Sequence, residues 1–184
     1  MAEEKQVWAN PAALGLAGFG LTTTVLNLAN MGIISGTGLT VAYGYAYGGL
    51  AQVIAGIIEF RRNNLFGGTA FTSYGLFWIG FALLNSLKTL PPTSHGELAA
   101  WMFMWGIFTL YLAIAAKLLK ERAVTVVLAL LVILFFLLSA AFAANSSTLL
   151  KIAGAEGIAT GLSAVYTSAA IVINDAAGRQ VLPV

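Results

Sequence analysis

The sequence predicts an all-α membrane protein in which residues 1–184 form a single domain of six transmembrane helices. Hydrophobic residues make up 59% of the chain and charged residues 9%, and the mean hydropathy is +0.89. Soluble domains carry about 25% charged residues, so lipid is the predicted solvent. The net charge of +2 is too small and diffuse to indicate a nucleic-acid partner, and a chain with no cysteine has neither disulfides nor thiolate metal sites.

Six apolar segments follow one another with short connections, at about residues 11–33, 40–60, 69–88, 98–118, 123–144 and 153–174. About 20 residues are needed to cross a hydrocarbon core of roughly 30 Å, so six crossings use nearly the whole chain. The N-terminal stretch "MAEEKQVW" has no basic region and no small-residue cleavage site. We therefore expect the first helix to be retained as part of the domain.

The basic residues indicate the orientation of these helices. Two of them, Lys88 and Lys151, fall on one side of the predicted arrangement. The other seven fall on the opposite side: Lys5, Arg61, Arg62, Lys117, Lys120, Arg122 and Arg179. Because Lys and Arg are enriched in cytoplasmic loops, both termini are predicted to be cytoplasmic.

Polar side chains concentrate in the first three segments, whereas the fifth is almost purely apolar. An unsatisfied polar group in hydrocarbon costs several kcal/mol, so these side chains must face protein or water. Ser and Thr can also bond back to their own helix, which leaves a structural role open for each hydroxyl. Asn10, Asn27, Gln52 and Glu59 together favour a solute path. The candidate solute contacts inside the segments are Thr22, Asn27, Gln52, Thr72 and Ser73.

Glycines form small-residue faces on two of the segments. The second segment carries Gly44 with Gly48 and Gly49 with Gly56, and the sixth carries Gly154, Gly157 and Gly161. Small residues allow helices to approach closely in membranes. We interpret these faces as helix contacts within or between subunits, in preference to direct contact with a solute.

The stretch "NPAALGLAGFG", residues 10–20, begins the first segment. Asn is a good N-cap and Pro is favoured in the first turn, so Asn10 and Pro11 predict a helix start. A helix N-terminus carries unpaired N–H groups and partial positive charge, which suit a carboxylate. From the cap alone, a purely structural helix start is the simpler interpretation.

Two long motifs resemble those of the acetate uptake transporter family, the succinate–acetate permeases of the YaaH type. "NPAALGLAGFGLTT" resembles the N-terminal signature of that family, with Ala13 where a second proline is usual, and "NNLFGGTAFTSYGLFW" at residues 63–78 resembles its second motif. "YGGLAQVIAGIIEF", "WGIFTLY" and "GRQVLP" also fit. The resemblance thus extends from residue 10 almost to the C-terminus.

The resemblance implies a homohexamer in which each six-helix protomer carries its own pore for acetate and related short carboxylates, including succinate. It places the start of the first helix, with Asn10, Pro11, Leu14 and Gly15, in contact with the anion at the cytoplasmic mouth. It also implies a narrow apolar constriction at mid-membrane, formed by Phe19, Tyr74 and Leu131.

No basic residue lies deep in a segment, so hydroxyls, amides and backbone N–H groups are expected to hold the carboxylate. Glu59 either relays a proton or pairs with Arg61 or Arg62, and the structural pair is favoured. A second charge adds a desolvation cost, so succinate is expected to be the poorer substrate. The partners expected are thus small carboxylates, membrane lipid and further copies of the chain, without cofactor or metal.

Enzymatic chemistry has little support in the sequence. Ser94, His95 and Glu97 lie too close together on one predicted loop for a catalytic triad, and "GGTAFTS" lacks the Lys of a phosphate-binding loop. Glu156 is expected in the first turn of the sixth helix, where an acid complements the dipole. The alternatives to carboxylate transport are a channel for small neutral solutes and a membrane sensor or scaffold that transports nothing.

Overall fold

A computed structural model describes residues 8–184; Lys5, used above for orientation, lies outside this range, as does most of the N-terminal prefix. The described residues contain six helices of membrane-spanning length and no strand. They are α1 Ala12–Met31, α2 Gly38–Arg61, α3 Leu65–Ser86, α4 His95–Leu118, α5 Arg122–Ala143 and α6 Ser147–Ala177. The predicted six-helix arrangement is confirmed, and most predicted ends are within three residues of those observed.

The beginning of α6 differs from the prediction by two turns. The Ser146 hydroxyl accepts a hydrogen bond from the backbone N–H of Leu149 over 3.3 Å, and the helix begins at Ser147. The apolar segment predicted from the sequence began after Lys151, but a lysine near a helix end can extend its ammonium group to the interface. The expectation that Glu156 lies in the first turn is therefore wrong. It lies in the third turn, where its Oε1 accepts a hydrogen bond from Thr160.

Ser94 and Glu97, which the sequence analysis rejected as members of a catalytic triad, have a structural role at the start of α4. The Ser94 hydroxyl accepts from the backbone N–H of Glu97, and the Glu97 carboxylate accepts from the backbone N–H of Ser94. This reciprocal pair is a capping box, which satisfies donors that the first turn leaves free.

Helix α2 is interrupted by a wide π-helical turn at Ala46–Ala51, between α-helical parts at Gly38–Tyr45 and Gln52–Arg61. The turn lies where α2 crosses α1 at Gly48, since a Cβ there would stand 2.7 Å from the Thr22 hydroxyl. Turns of this kind interrupt α-helices frequently at functional sites. Gln52 follows the π turn directly, and its position on α2 is set by it.

The glycine faces pack inside the protomer. A Cβ at Gly157 would overlap the Asn27 side chain, and Gly154 and Gly161 meet the backbone of α1 as well. On α2, Gly56 packs against Thr72 of α3. These glycines therefore serve helix contacts within one subunit, which is one of the two interpretations that the sequence left open.

An aromatic cluster forms the middle of the bundle between α3, α4 and α5. Phe77 stacks on Trp101 with ring centroids 4.8 Å apart and meets Phe135 edge to face at 5.5 Å. Outside the bundle, large apolar side chains are widely exposed, such as Met104 at 63%. A protein that is apolar on both its inside and its outside is suited to lipid as solvent.

Candidate functional site

A cavity of about 500 Å³ opens at one end of the bundle, which we call the mouth, and extends inward between the helices. Residues from the beginning of α1, the end of α2 and the beginnings of α3 and α5 line the mouth: Asn10, Arg62, Asn64 and Glu121. The C-terminal residue Val184 also lines it. Further in, the lining is largely apolar and includes Leu16, Phe19, Phe66, Tyr74, Val127, Leu128 and Leu131.

Four side chains at the mouth form one polar network. Arg62 donates through Nη1 to the Oδ1 of Asn10 over 3.3 Å and lies 3.5 Å from the Oε2 of Glu59. Asn64 donates to the same Glu59 oxygen over 3.0 Å and caps α3 by accepting from the N–H of Gly67. Glu59 is 1% exposed, whereas the Arg62 side chain is 31% exposed. The network thus joins α1, α2 and α3, with its cation more exposed than its carboxylate.

The Asn10 side chain accepts from the first turn of α1, as the sequence predicts, although the N-cap residue itself is Pro11 and not Asn10. Its Oδ1 accepts the N–H of Ala12 over 3.0 Å, and Pro11 precedes the first residue of the helix. The same oxygen accepts from Arg62, so one acceptor serves both the helix start and the guanidinium group. The positive groups at this mouth are Arg62 and the N-terminus of α1, and its negative ones are Glu59 and Glu121.

Phe19, Tyr74 and Leu131 meet at the inner part of the cavity, which we call the neck. They come from α1, α3 and α5, and each is 3–6% exposed. The rings of Phe19 and Tyr74 have centroids 5.9 Å apart. Phe19 lies seven residues beyond Ala12, or about 10 Å along the helix. The three residues assigned to a constriction by resemblance therefore share one apolar cluster.

The Tyr74 hydroxyl is held by a relay of two hydrogen bonds into α4. It donates to the Oγ1 of Thr109 over 2.9 Å, and Thr109 donates to the carbonyl oxygen of Trp105 over 2.7 Å. Trp105 and Phe108 pack against the Tyr74 ring, with centroids 5.8 and 5.5 Å away. The ring is thus fixed on several sides, and its hydroxyl hydrogen is directed away from Phe19 toward α4.

Gln52 contributes a buried amide to the cavity lining. Its Nε2 donates to the carbonyl oxygen of Gly48 over 2.7 Å, and the residue is 0% exposed. Its Oε1 is buried and has no hydrogen-bond partner among the described residues. Such an orphaned acceptor is uncommon inside proteins, and here it belongs to a residue that lines a cavity.

The other residues singled out from the sequence lie outside the cavity lining. Thr22 donates to the carbonyl of Gly18 and Asn27 to that of Thr23, so both bond within α1. Gly15 packs on the ring of Phe71, and Thr72 on Gly56. Pro11 is buried at the start of α1, Leu14 is 38% exposed, and Ser73 is half-buried.

The sequence did not indicate that Asn64 and Thr167 line the cavity, and it indicated Arg62 as an orientation marker and a partner for Glu59 but not as a lining residue. Asn64 precedes the "LFGG" start of α3, and an N-cap residue at that point was the available signal. Thr167 lies in a helix where small and polar residues occur on every side, so its spacing gave no indication of the cavity.

The whole chain, residues 1–184, matches the model of the GPR1/FUN34/yaaH family. The protein belongs to this family. It is 40% identical to the succinate-acetate/proton symporter SatP of Escherichia coli over 179 residues, which cover 96% of this chain and 95% of SatP. An uncharacterized protein of Methanothermobacter thermautotrophicus is 45% identical over 185 residues, or 95% and 90% of the two chains.

Membership of the GPR1/FUN34/yaaH family extends to the three-dimensional structure. A solved structure of the bacterial acetate channel SatP superimposes with a TM-score of 0.93 at 39% identity, covering 97% of this chain and 99% of that one. With six apolar helices in the same arrangement, the protein is a multi-pass integral membrane protein. The family resemblance identified from the two motifs is thereby confirmed.

Proposed function

We propose that the protein transports acetate and related short carboxylates, succinate included, across the cell membrane through a pore in each protomer. The observation that carries the proposal is the cavity itself, which leads from a polar mouth with one guanidinium group to an apolar neck of Phe19, Tyr74 and Leu131. The likeness to the symporter and channel SatP supports the same substrate class. The proposed transport requires no enzymatic reaction.

The mouth collects the anion in the proposed mechanism. Arg62 and the N-terminus of α1 provide positive potential beside Asn10, while partial exposure to water keeps the attraction weak enough for release. Glu59 serves there as the structural partner of Arg62 and Asn64, which agrees with the interpretation favoured from the sequence. Of the solute contacts expected from the sequence, Asn10 and Gln52 line the cavity and are retained.

The neck selects the solute by size and charge. A methyl group tolerates contact with Phe19 and Leu131, whereas a second carboxylate would add a desolvation cost of several kcal/mol. Apolar constrictions also exclude water and hydrated ions. Acetate is therefore expected to be a better substrate than succinate.

The mouth is proposed to face the cytoplasm because seven of the nine Lys and Arg residues flank the side that carries the termini. We also propose a homohexamer, on the basis of the family resemblance. The single-domain organisation of residues 1–184 is part of the same proposal. Mass measurement in native lipid or mild detergent tests the assembly, and a population made only of monomers would contradict it.

Uptake of labelled acetate into vesicles containing the purified protein tests the function. We expect faster uptake than into protein-free vesicles, with acetate taken up faster than succinate. Uptake of neutral solutes such as urea but not acetate would favour a channel for small neutral solutes. Vesicles that show no flux of either kind would favour a sensor or scaffold.

A further inference from the structure

We propose that a recess between the end of α4 and the beginning of α5 binds the phosphate group of an anionic membrane phospholipid. Lys117, Lys120, Arg122 and Thr125 line this recess, which has a volume of about 320 Å³. It is separate from the cavity of the mouth and neck, so the inference goes beyond the proposed function and does not depend on it. Its charges, its backbone and its lipid-facing surroundings carry it.

Three cations surround the recess without a neutralising acid. Lys117 lies in the last turn of α4, Lys120 in the connection and Arg122 at the first residue of α5. Glu121 stands between the last two in sequence, but it lines the mouth instead. Within residues 8–184, none of the three cations forms an ion pair with a carboxylate. The acid of this connection therefore lines the cavity, and its bases line the recess.

The donors that a ligand would meet in the recess are the ammonium and guanidinium groups. The Thr125 hydroxyl donates to the carbonyl oxygen of Glu121 over 2.6 Å, so its hydrogen is already used. Ammonium and guanidinium groups only donate, and a guanidinium group matches phosphate oxygens with two parallel hydrogen bonds. An anion with several acceptor oxygens, such as a phosphate group, therefore complements the recess.

Lys120 has a backbone conformation that a lysine seldom adopts. Its φ is 63°, and the N–H of Glu121 closes the end of α4 with a bond of 3.0 Å to the carbonyl of Ala116. Helices α2 and α5 end with the same pattern, but their left-handed residues are Asn63 and Asn145. Gly and Asn are usual at this position. A lysine there costs conformational free energy, which a bound anion would offset.

Arg122 is also placed against a local preference. It is the first residue of α5, where the partial positive charge of a helix N-terminus disfavours a cation. The tendency of Lys and Arg to occur in cytoplasmic loops accounts for basic residues in this connection, but not for their placement at these two backbone positions. Departures from local preference are expected at functional sites. A phosphate group beside Lys120 and Arg122 would interact favourably with both.

The surroundings of the recess indicate that the phosphate belongs to a lipid. Leu118 is 77% exposed and Val126 is 55% exposed, and apolar side chains as exposed as these face acyl chains in a membrane. A headgroup can therefore enter the recess while its acyl chains lie beside α4 and α5. Basic pockets between membrane helices bind anionic headgroups in this way. A zwitterionic lipid also carries a phosphate, but its ammonium group would meet three like charges.

Two lipids with the same acyl chains test the binding. Dioleoylphosphatidylglycerol has a net negative charge, whereas dioleoylphosphatidylcholine has none. Mass spectrometry of the intact protein in mild detergent measures how much of each lipid is bound at equal concentrations. We expect phosphatidylglycerol to bind at least about tenfold more tightly, because each Lys or Arg near an anionic headgroup adds to the attraction. Equal binding of the two lipids would overturn the inference. Displacement of phosphatidylglycerol by an equal concentration of inorganic phosphate would overturn it as well, because the site would then take free phosphate.

Lys120→Asn separates lipid binding from the stability of the connection. It removes one cation and supplies the residue that ends α2 and α5 in the same conformation, so thermal unfolding in phosphatidylcholine should occur at or above the wild-type temperature. We expect phosphatidylglycerol to bind about fivefold more weakly, the factor for one cation near an anionic headgroup. Arg122→Gln should weaken binding by a similar factor. Unchanged binding of phosphatidylglycerol in both folded variants would contradict the assignment.

Arg61→Gln is the matched control for these variants. It removes one exposed cation from the last turn of α2, at the same end of the bundle, and Arg61 lines neither the recess nor the cavity. We expect its preference for phosphatidylglycerol to equal that of the wild type. A loss as large as that in Lys120→Asn would indicate a general attraction between lipid and a basic surface, and would overturn the assignment of a site.

Discussion

The mouth and the neck of the cavity satisfy their polar groups in opposite ways. At the mouth, Arg62 is partly exposed, donates a hydrogen bond to Asn10 and forms an ion pair with Glu59, so its partners can be exchanged for a solute or water. At the neck, Tyr74 is 4% exposed and its hydroxyl bonds away from Phe19 into α4. The mouth thus presents a charged group, Arg62, whose partners can be exchanged. The neck presents an apolar surface, because the Tyr74 hydroxyl donates to another residue.

The difference shows how a pore can attract an anion without trapping it. A buried, unpaired cation would hold a carboxylate too strongly for rapid release, and a wholly apolar path would not concentrate it. Separating the two functions by about 10 Å of helix resolves the conflict. Substitutions at the two places should therefore affect different properties of transport.

Removal of the Tyr74 ring should give the largest effect, because it abolishes the neck. Tyr74→Ala leaves a gap beside Phe19, so bulkier carboxylates gain access. We expect the lactate-to-acetate uptake ratio to rise about tenfold or more, the size of discrimination that one small group provides in an apolar pocket. Uptake of both acids into vesicles, normalised to assembled protein, measures the ratio.

Tyr74→Phe is the matched control for that variant. It keeps the ring and removes only the hydroxyl, so the lactate-to-acetate ratio should stay near that of the wild type. If Tyr74→Ala assembles normally and leaves the ratio unchanged, the constriction lies elsewhere.

Substitutions of Asn10 should give an intermediate effect confined to the mouth. Asn10→Asp and Asn10→Ser both keep a side-chain acceptor for the first turn of α1, so both should fold. Two like charges about 5 Å apart repel by about 1 kcal/mol in water and about 3 kcal/mol at the effective dielectric of a protein surface. Because Arg62 would pair with the new carboxylate, we expect a repulsion near the lower of these two values. The apparent acetate affinity of the aspartate variant should then fall about tenfold.

The concentration dependence of initial uptake rates measures this effect. The serine variant should stay close to the wild type, and added salt should reduce the difference between the two variants. Equal acetate affinity in both would return Asn10 to the role of a helix cap alone.

Removal of the hydrogen-bond acceptor of the Tyr74 hydroxyl should give the smallest effect. It would leave a free donor at the neck, as there is at the mouth. Thr109→Val keeps the shape of the side chain but removes the acceptor, so the Tyr74 O–H is left unpartnered. We expect a loss of stability of about 1–3 kcal/mol and, with a donor now free for an anion, an apparent affinity for acetate about fivefold above that of the wild type. Thermal unfolding in detergent and the concentration dependence of acetate uptake measure the two changes.

Thr109→Ser retains the acceptor and should restore both properties. An acetate affinity that rises equally in the serine and valine variants would indicate a general loosening of α4, unrelated to the hydrogen bond between Thr109 and the Tyr74 hydroxyl.

The sequence indicated some site residues because their local chemistry is independent of packing. Asn10 caps α1 through a bond to Ala12, two residues away, and such short-range bonds follow from the residue type. Glu59 and Arg62 are three residues apart, so their pairing could also be predicted from the sequence. Thr22 and Asn27 were expected in the solute path, yet in the structure they bond to α1 carbonyls four residues earlier. A polar side chain inside a membrane helix can always choose this local partner.

The sequence by itself determined the solvent, the number of helices and the family, because composition, segment length and the two motifs are properties of the chain alone. Only the tertiary structure decided which faces enclose the cavity, that Gln52 presents a free acceptor there, and that Tyr74 points its hydroxyl at Thr109. The reason is physical. In lipid, the outward and inward faces of a helix are both apolar, so the periodicity that identifies the inner face of a soluble helix is largely absent. Contacts between residues far apart in the chain, such as Tyr74 and Thr109 at 35 positions, then decide which side chains meet at the site.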